Sequence, residues 1–458
     1  MSTVTPAAEP QYAAYVGIDW GDREHAWALE VAGSGKIENG KLPQTPEALE
    51  IWATDLASRF GERPIAVGVE QSRGALIYAL QKFSHLVFYP IHPNTSTSYR
   101  AAMSPSGAKD DPVDAGLLLD LVVRHRDRLR CLHIDTVETR KLQALVEKRR
   151  QLVDERTAQT NRITDLLKQY YPQALAWVDD LSSPLGVAFL QCWPTLQKLQ
   201  KEPPEVVRAF FLQYGSRSQQ RIQERLDGIQ KARPALEDPA IIDPCVLMLQ
   251  ALLDIVTGLR QGIERLQKAI DQIFAQHPDA PIFASFPGAA KVMAPRLLAA
   301  FGSQRDRWES LQDFQNYSGI PPVTVRSGKS RSVHFRWACP KFLRQTFHEF
   351  AAISVQQSEW ARAYYHHRRH TVNQDHQAAV RSLAYKWERI LYRCWINRTP
   401  YQETIHQERL LSKATPAPSA DHKPKTEPPR PSKRPNENPV HFEFKKVAGF
   451  WKISDQTS

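Results

Sequence analysis

Two short apolar runs that each end in a carboxylate constrain the fold of this chain most strongly. The first is Tyr15-Val-Gly-Ile-Asp19 and the second is Pro64-Ile-Ala-Val-Gly-Val-Glu70. Runs of this length and apolarity are typical of buried strands. Between them, residues 25–31 and 36–42 flank Gly33-Ser-Gly35, a pattern that predicts a hairpin.

Helical and strand patterns alternate after the hairpin. Thr45-Pro46-Glu47 opens a helix, because proline is favoured in the first helical turn. A third apolar strand is predicted at residues 86–91 and another helix at 111–125. A strand, a hairpin and then alternating helices and strands predict an α/β domain over residues 12–130.

Two long helices are predicted in residues 131–280, separated by a helical insertion at about 174–244. The first runs from about Thr136 to Tyr171. The second carries apolar residues at alternating steps of four and three, the 3.5-residue period of a coiled coil: Leu252, Val256, Leu259, Ile263, Leu266, Ile270 and Ile273. Two interpretations stay open, because periodicity alone favours neither. The helices pair within one chain, or they form a dimerisation arm.

The positive charge of the chain is concentrated near its C-terminal end. The formal net charge is +11, and residues 323–398 contain fourteen Lys and Arg against four Asp and Glu, a net of +10. This basic stretch lies in a mainly helical domain predicted at 281–411. A local excess of this size predicts a polyanion partner, either nucleic acid or an anionic membrane surface. Residues 412–458 are Pro- and Lys-rich, and we expect this tail to be disordered.

Cysteine usage and hydropathy indicate a cytoplasmic protein. The five cysteines are widely spread and no pair has CxxC spacing, so neither a zinc ribbon nor a disulfide framework is predicted. No Lys or Arg precedes Arg23, so a positively charged signal-peptide start is missing. No run of eighteen apolar residues is present, so no membrane-spanning helix is expected.

Four acidic residues in the first domain suggest a metal site. Asp19 and Glu70 end strands, and Asp111 and Asp114 are three residues apart near a helix start, where such residues share one face. Carboxylates gathered closely repel one another unless a cation lies between them. Hard oxygen ligands suit Mg²⁺, and two such ions assist phosphodiester cleavage. Taken singly, each acid also fits an ordinary cap or turn residue.

At these residues the chain resembles the DEDD transposases, which are insertion-sequence recombinases that include site-specific DNA invertases and bridge-RNA-guided members. The first two runs resemble the family motifs that supply Asp and Glu. Lys109-Asp-Asp-Pro-Val-Asp-Ala115 resembles the Lys-x-Asp-x-x-Asp-Ala motif. In the C-terminal half, residues 286–302 resemble a Pro-Gly helical unit, and Gly319-Ile-Pro-Pro322 followed by Ser327-Gly328 resembles the segment that carries the family's catalytic serine.

The resemblance implies an RNase H-like (RuvC-like) first domain, a coiled-coil helical pair and a helical C-terminal domain. It implies that Asp19, Glu70, Asp111 and Asp114 bind Mg²⁺ or Mn²⁺ and that Ser327 attacks a DNA phosphate. The implied partners are DNA, a structured guide RNA and further copies of the chain, in a dimer or tetramer joined by the coiled coil. Basic residues near Ser327 are then candidates for nucleic-acid contacts: Arg326, Lys329, Arg331, Arg336 and Lys341.

Aromatic residues are interleaved with the basic charges of the C-terminal domain, a pattern suited to stacking on unpaired bases. They are Trp337, Trp360, Tyr364, Tyr365, Trp387, Tyr392 and Trp395. We expect more than half of them to be core residues of helices. Two other functions compete with a recombinase: a structure-selective nuclease such as a junction resolvase, and a non-catalytic nucleic-acid-binding protein.

Overall fold

The chain divides after Ile134 into two compact units. The structure is a computed structural model that describes residues 11–103, 111–328, 330–404, 441–447 and 450–456. The first unit is a mixed α/β domain, and the second is mostly helical. This division agrees with the class of fold predicted from the sequence.

The first unit is built on a five-stranded sheet with the order β3-β2-β1-β4-β5. The first strand pairs antiparallel with the second and parallel with the fourth, which pairs parallel with the fifth. The strands are β1 (Ala14–Asp19), β2 (Glu24–Val31), β3 (Ile37–Pro43), β4 (Ile65–Val69) and β5 (Leu86–Pro90). The helices are α1 (Pro46–Phe60), α2 (Ala75–Leu80), α3 (Pro93–Met103) and α4 (Asp111–His125).

Local sequence accounts for the predicted hairpin and first helix. Gly33 and Gly35 adopt positive φ angles of 75° and 64°, which let the chain reverse between β2 and β3. Thr45 caps α1, since its hydroxyl accepts a hydrogen bond from the Ala48 amide at 3.3 Å. Both predictions are therefore confirmed.

Two glycines bring α4 against the sheet. Gly17 on β1 and Gly68 on β4 are register partners. A methyl group on Gly17 would collide with the backbone of Ala115, and one on Gly68 would collide with Leu118 and Val122. Only glycine permits this close approach of helix and sheet, so the sequence of the two strands decides where α4 lies.

The second unit begins with two long helices that pack along each other, α5 (Val137–Tyr170) and α11 (Pro239–Gln276). The predicted seam faces inward at Leu252, Val256, Ile263 and Ile270, all of which are buried. Pairing within one chain is thus what the structure shows. By length and composition alone, α11 could also cross a membrane. The sequence had predicted no such helix, and one side of α11 packs on α5.

Five short helices form the insertion between α5 and α11, and their core, which includes Phe189 and Phe211, is shared with both long helices. They are α6 (Ala174–Trp177), α7 (Pro184–Cys192), α8 (Leu196–Gln200), α9 (Pro204–Gln213) and α10 (Gln219–Lys231). The insertion is helical, as its composition predicted.

The remainder of the unit is mainly helical around a second core, in which Phe301, Phe347 and Trp387 are fully buried. Its helices are α12 (Ala280–Ala284), α13 (Ala290–Phe301), α14 (Leu311–Ser318), α15 (Lys341–Gln357), α16 (Glu359–His366) and α17 (His376–Asn397). Its strands are β6 (Val323–Ser327) and β7 (Ser330–His334). The sequence did not predict this hairpin, since the stretch reads as helical and basic. Within the C-terminal tail, β8 (His441–Val447) and β9 (Phe450–Gln456) pair antiparallel.

Candidate active site

Two of the predicted acids lie at one edge of the sheet. Asp19 is the last residue of β1, and Glu70 directly follows β4. Because β1 and β4 are parallel neighbours, their carboxyl ends meet at the same edge. Both side chains are half-buried. The strand-end argument from the sequence therefore has a structural basis.

The other two acids lie in the first turn of α4. Asp114 is 5% exposed and precedes Ala115, the residue that α4 presses against Gly17. Asp111 begins the helix and is exposed. The glycine contact thus brings the start of α4 to β1 just before Asp19. Lys109 and Asp110 of the same motif lie outside the described residues.

Helix α3 holds two of these carboxylates through residues that sequence reasoning missed. The Ser96 hydroxyl donates a hydrogen bond to Glu70. The Arg100 guanidinium forms an ion pair with Asp114, with 2.5 Å between Nη2 and Oδ1. Ser96 and Arg100 are four residues apart, so they share one helical face. Their i, i+4 spacing is the one sequence signal that could have found them, but no helix was predicted there.

Tyr99 anchors α3 to α4. Its hydroxyl donates to Asp120, and its ring meets His125 edge-on at 5.7 Å between centroids. Burial, together with the hydrogen bond to Asp120, raises the pKa of Tyr99 to about 12, so the hydroxyl stays protonated as a donor. The side chains of α3 are therefore held at the edge where the acids lie.

The acid set fits a hard divalent cation by its donor chemistry. Asp19, Glu70, Asp111 and Asp114 offer only carboxylate oxygens, the ligands that Mg²⁺ and Mn²⁺ prefer. Within the described part of the chain, no group of three or more His, Cys, Asp or Glu is arranged to hold a metal ion. Arg100 instead supplies positive charge to the buried Asp114.

Ser327 lies in the second unit, at the turn of the hairpin formed by β6 and β7. It ends β6, pairs with Ser330 across the turn and is exposed. Gly328 follows in the left-handed conformation, with φ of 55°. An exposed hydroxyl at a hairpin turn is accessible to a large substrate such as a nucleic acid.

The basic candidates around Ser327 differ in their surroundings. Arg326 and Arg331 are exposed and directly opposite in the hairpin register. Like charges in this position repel one another, and a polyanion relieves the repulsion. Arg336 is half-buried, and its Nε donates to the Pro321 carbonyl at 3.2 Å. Lys341 is exposed at the start of α15, whereas Lys329 lies outside the described residues.

Most of the interleaved aromatics belong to the core, as predicted. Trp360, Trp387 and Trp395 are buried, and the three tyrosines pack against the same core. Trp337 alone among the seven is largely exposed, at 80% of its surface.

Comparison with known proteins matches both units to transposases. A DEDD transposase family model matches residues 16–172, and a model of the IS116/IS110/IS902 transposase family matches residues 280–366. A Streptomyces coelicolor protein named for the transposase of the IS117 mini-circle is 28% identical, over 89% of this chain and 99% of its own length. The 43.6 kDa protein of insertion element IS110 from the same organism is 23% identical, over 85% of this chain and 96% of its own.

An α/β domain with strand-end acids, followed by a helical domain with an exposed basic hairpin, thus matches transposases along nearly its whole length. The class is that of enzymes that transfer DNA strands. Within it, the chain belongs to the IS110/IS116-type DEDD transposases.

Proposed function

We propose that this transposase cleaves and rejoins DNA with a carboxylate-bound metal site in an RNase H-like first domain and a nucleophilic serine, Ser327, in the second. The observation that carries the proposal is the meeting of Asp19 and Glu70 at one sheet edge, with the Asp114 end of α4 packed on β1 beside them. The strand order β3-β2-β1-β4-β5, with only the first three strands antiparallel, supports the RNase H-like assignment.

In this proposal Ser327 provides the covalent step. Its Oγ attacks the phosphorus of a DNA phosphodiester, so an Oγ–P bond forms as the bond from phosphorus to one deoxyribose oxygen breaks. A base takes the serine proton, and the leaving oxygen gains a proton. The phosphoserine conserves the bond energy needed to rejoin strands. The reverse attack by a deoxyribose hydroxyl frees the serine.

Each acid has a defined part in the proposal. Asp19, Glu70, Asp111 and Asp114 would hold Mg²⁺ or Mn²⁺, and the bound cation would supply charge stabilisation to phosphate oxygens. Asp111 is the exposed ligand and Asp114 the buried one. Arg326 and Arg331 neutralise phosphates on the hairpin, with Lys329, Arg336 and Lys341 as further contacts.

Substitution of Ser327 by alanine tests the nucleophile, with Ser330→Ala as the matched control. Ser330 is the register partner of Ser327 and is also exposed. We expect Ser327→Ala to abolish both the covalent protein–DNA adduct and joined products, whereas Ser330→Ala retains both. Cleavage that continues without joining in Ser327→Ala would instead identify a structure-selective nuclease. Joining at the wild-type rate would contradict the serine's role.

The transposase also binds a structured guide RNA in this proposal, in addition to DNA. The net charge of +10 over residues 323–398 supports binding of a second polyanion. Sequencing of the RNA that copurifies with the protein tests this part. A recurrent RNA encoded beside the transposase gene supports guidance. Protein that is free of RNA yet recombines a defined site contradicts it.

Assembly into a dimer or tetramer through the coiled-coil region completes the proposal. One face of α11 packs on α5, and beside that face large apolar side chains stay exposed at intervals of seven residues: Ile241, Met248 and Ile255. A seven-residue apolar repeat is the pattern by which helices of separate chains pair.

A further inference from the structure

Trp337 is an exposed tryptophan on an otherwise basic surface. It lies three positions after the end of β7 and exposes 80% of its surface, more than any other large apolar side chain in the described part of the chain. An indole ring in this position exposes a large apolar face to water, which is unfavourable unless a partner covers it.

Aromatic, cation–π and hydrogen-bond contacts hold the segment that carries Trp337 in place. The Phe335 ring meets the indole ring edge-on at 4.9 Å between centroids. The guanidinium groups of Arg344 and Arg381 lie over the Phe335 ring, at 4.4 Å and 4.8 Å from its centroid. Arg344 also donates to the Arg336 carbonyl at 2.9 Å. The backbone and ring that support Trp337 are therefore fixed by these contacts. A side chain that is already held in place loses little entropy on binding.

The positive charge around the Trp337 ring indicates which kind of partner binds there. Residues 323–348 contain no Asp or Glu, and Arg326 and Arg331 are exposed on the preceding hairpin. A second copy of this surface would bring like charges together. A nucleic acid brings phosphates for the arginines and a flat aromatic base for the indole, and base stacking on aromatic side chains is largely independent of sequence.

We propose that Trp337 stacks on an unpaired base of the DNA strand whose phosphate reaches Ser327, an inference that rests on the function proposed above. Trp337 lies seven positions after Ser330, so these two residues are at most about 25 Å apart. Ser327 pairs with Ser330 at about 5 Å, so Ser327 and Trp337 are at most about 30 Å apart. At about 3.4 Å per nucleotide along a strand, the stacked base lies within roughly nine nucleotides of the cleaved phosphate. Trp337 would thus hold a melted strand beside the nucleophile.

The test compares Trp337→Ala with Trp337→Phe, both in a Ser327→Ala background that prevents turnover. DNA duplexes carry an unpaired stretch beside the cleavage site, with 2-aminopurine at each position in turn. We expect Trp337→Ala to weaken binding to the unpaired substrate roughly 5- to 150-fold. It should also abolish the 2-aminopurine quenching at one or two adjacent positions. Trp337→Phe should retain most of the affinity and most of the quenching. Tyr78→Ala, which removes an exposed aromatic of the first unit, should change neither the affinity nor the quenching.

Three outcomes would overturn the inference. The first is binding and quenching that Trp337→Ala leaves unchanged. The second is a loss of affinity in Trp337→Ala that is seen only with single-stranded RNA of the same sequence. The third is a change in the oligomer mass of Trp337→Ala, measured by light scattering. These failures are separable from failure of the proposed function. Joining by the otherwise wild-type protein reports on Ser327, and stacking is measured in protein that cannot join.

Discussion

Arg100 and Asp114 form an ion pair in the first unit, with 2.5 Å between Nη2 and Oδ1 and Asp114 only 5% exposed. The guanidinium therefore compensates a carboxylate that the metal-site proposal assigns to a cation. Ser96, one turn earlier on α3, donates to Glu70. Helix α3 thus contacts two of the four predicted ligands, and a metal ion has to compete with it.

Replacing Arg100 with glutamine should tighten Mg²⁺ binding by roughly tenfold or more, since the competing positive charge is removed. Without metal, the same change should lower the Tm, because a buried carboxylate is left uncompensated. Calorimetric titration with Mg²⁺, and Tm with and without it, measure the two effects. Arg124→Gln is the matched control, since it breaks an exposed ion pair with Asp120 on α4. Weaker Mg²⁺ binding by Arg100→Gln would contradict the competition.

Replacing Gly17 with alanine should destabilise the first unit by about 1–3 kcal/mol or more, because the new methyl group collides with the α4 backbone at Ala115. Metal-dependent cleavage should fall with it, since α4 carries Asp114. Thermal unfolding and a cleavage assay check both effects. Gly116→Ala is the control on α4, where a methyl group meets nothing within 4 Å and should stabilise the helix by about 0.5–1 kcal/mol. Equal behaviour of the two variants would rule out the close-packing role of Gly17.

Glu388 should make the second unit less stable as the pH rises. Burial raises the pKa of this fully buried carboxyl well above its usual value of 4.5, with only partial offset from Ser318. Above pH 4.5 the unfolded chain releases this proton while the folded chain retains it. Stability therefore falls with rising pH until the folded pKa is reached. The Tm of wild type and of Glu388→Gln is measured from pH 5 to 8. We expect the Tm of the variant, relative to that of wild type, to increase as the pH rises. A difference that does not change with pH would contradict the buried neutral acid.

Alanine at Arg326 and at Arg331 should each weaken DNA binding with little dependence on sequence. Each should also reduce the slope of log K against log salt by about 1, since each removes one phosphate contact. Fluorescence anisotropy over a range of salt concentrations gives the slopes. Lys201→Ala, an exposed cation of the helical insertion, should leave the slope unchanged. An unchanged slope in both hairpin variants would exclude them from the DNA contact.

Aspartate at Met248 and Ile255 together should shift the protein towards monomer, because charge replaces the exposed apolar row on α11. Light scattering coupled to size exclusion measures the mass. Gln250→Asp adds charge to an exposed position of the same helix and should leave the mass as in wild type. An oligomer that survives the double substitution would show that this face is not the contact.

Sequence reasoning predicted the five strands and the helices α1 and α4 of the first unit, because short apolar strands and capped helices are locally encoded. Helix α3 was not predicted. The strand-end positions of Asp19 and Glu70 were predicted because each residue closes a short apolar run. Ser96 and Arg100 were missed because a serine and an arginine on a short helix have many ordinary roles. The β6–β7 hairpin was missed because its strands are short and exposed and most of their residues are polar.

The sequence by itself determined the class of fold, the strand-end acids, the basic C-terminal stretch and the resemblance to DEDD transposases. Only the tertiary structure decided which strands are neighbours, that Arg100 pairs with Asp114, and that Trp337 is exposed while Trp387 is fully buried. The reason is physical. Strand and helix preferences depend on residues close in the chain, whereas burial and charge pairing depend on elements brought together from distant positions.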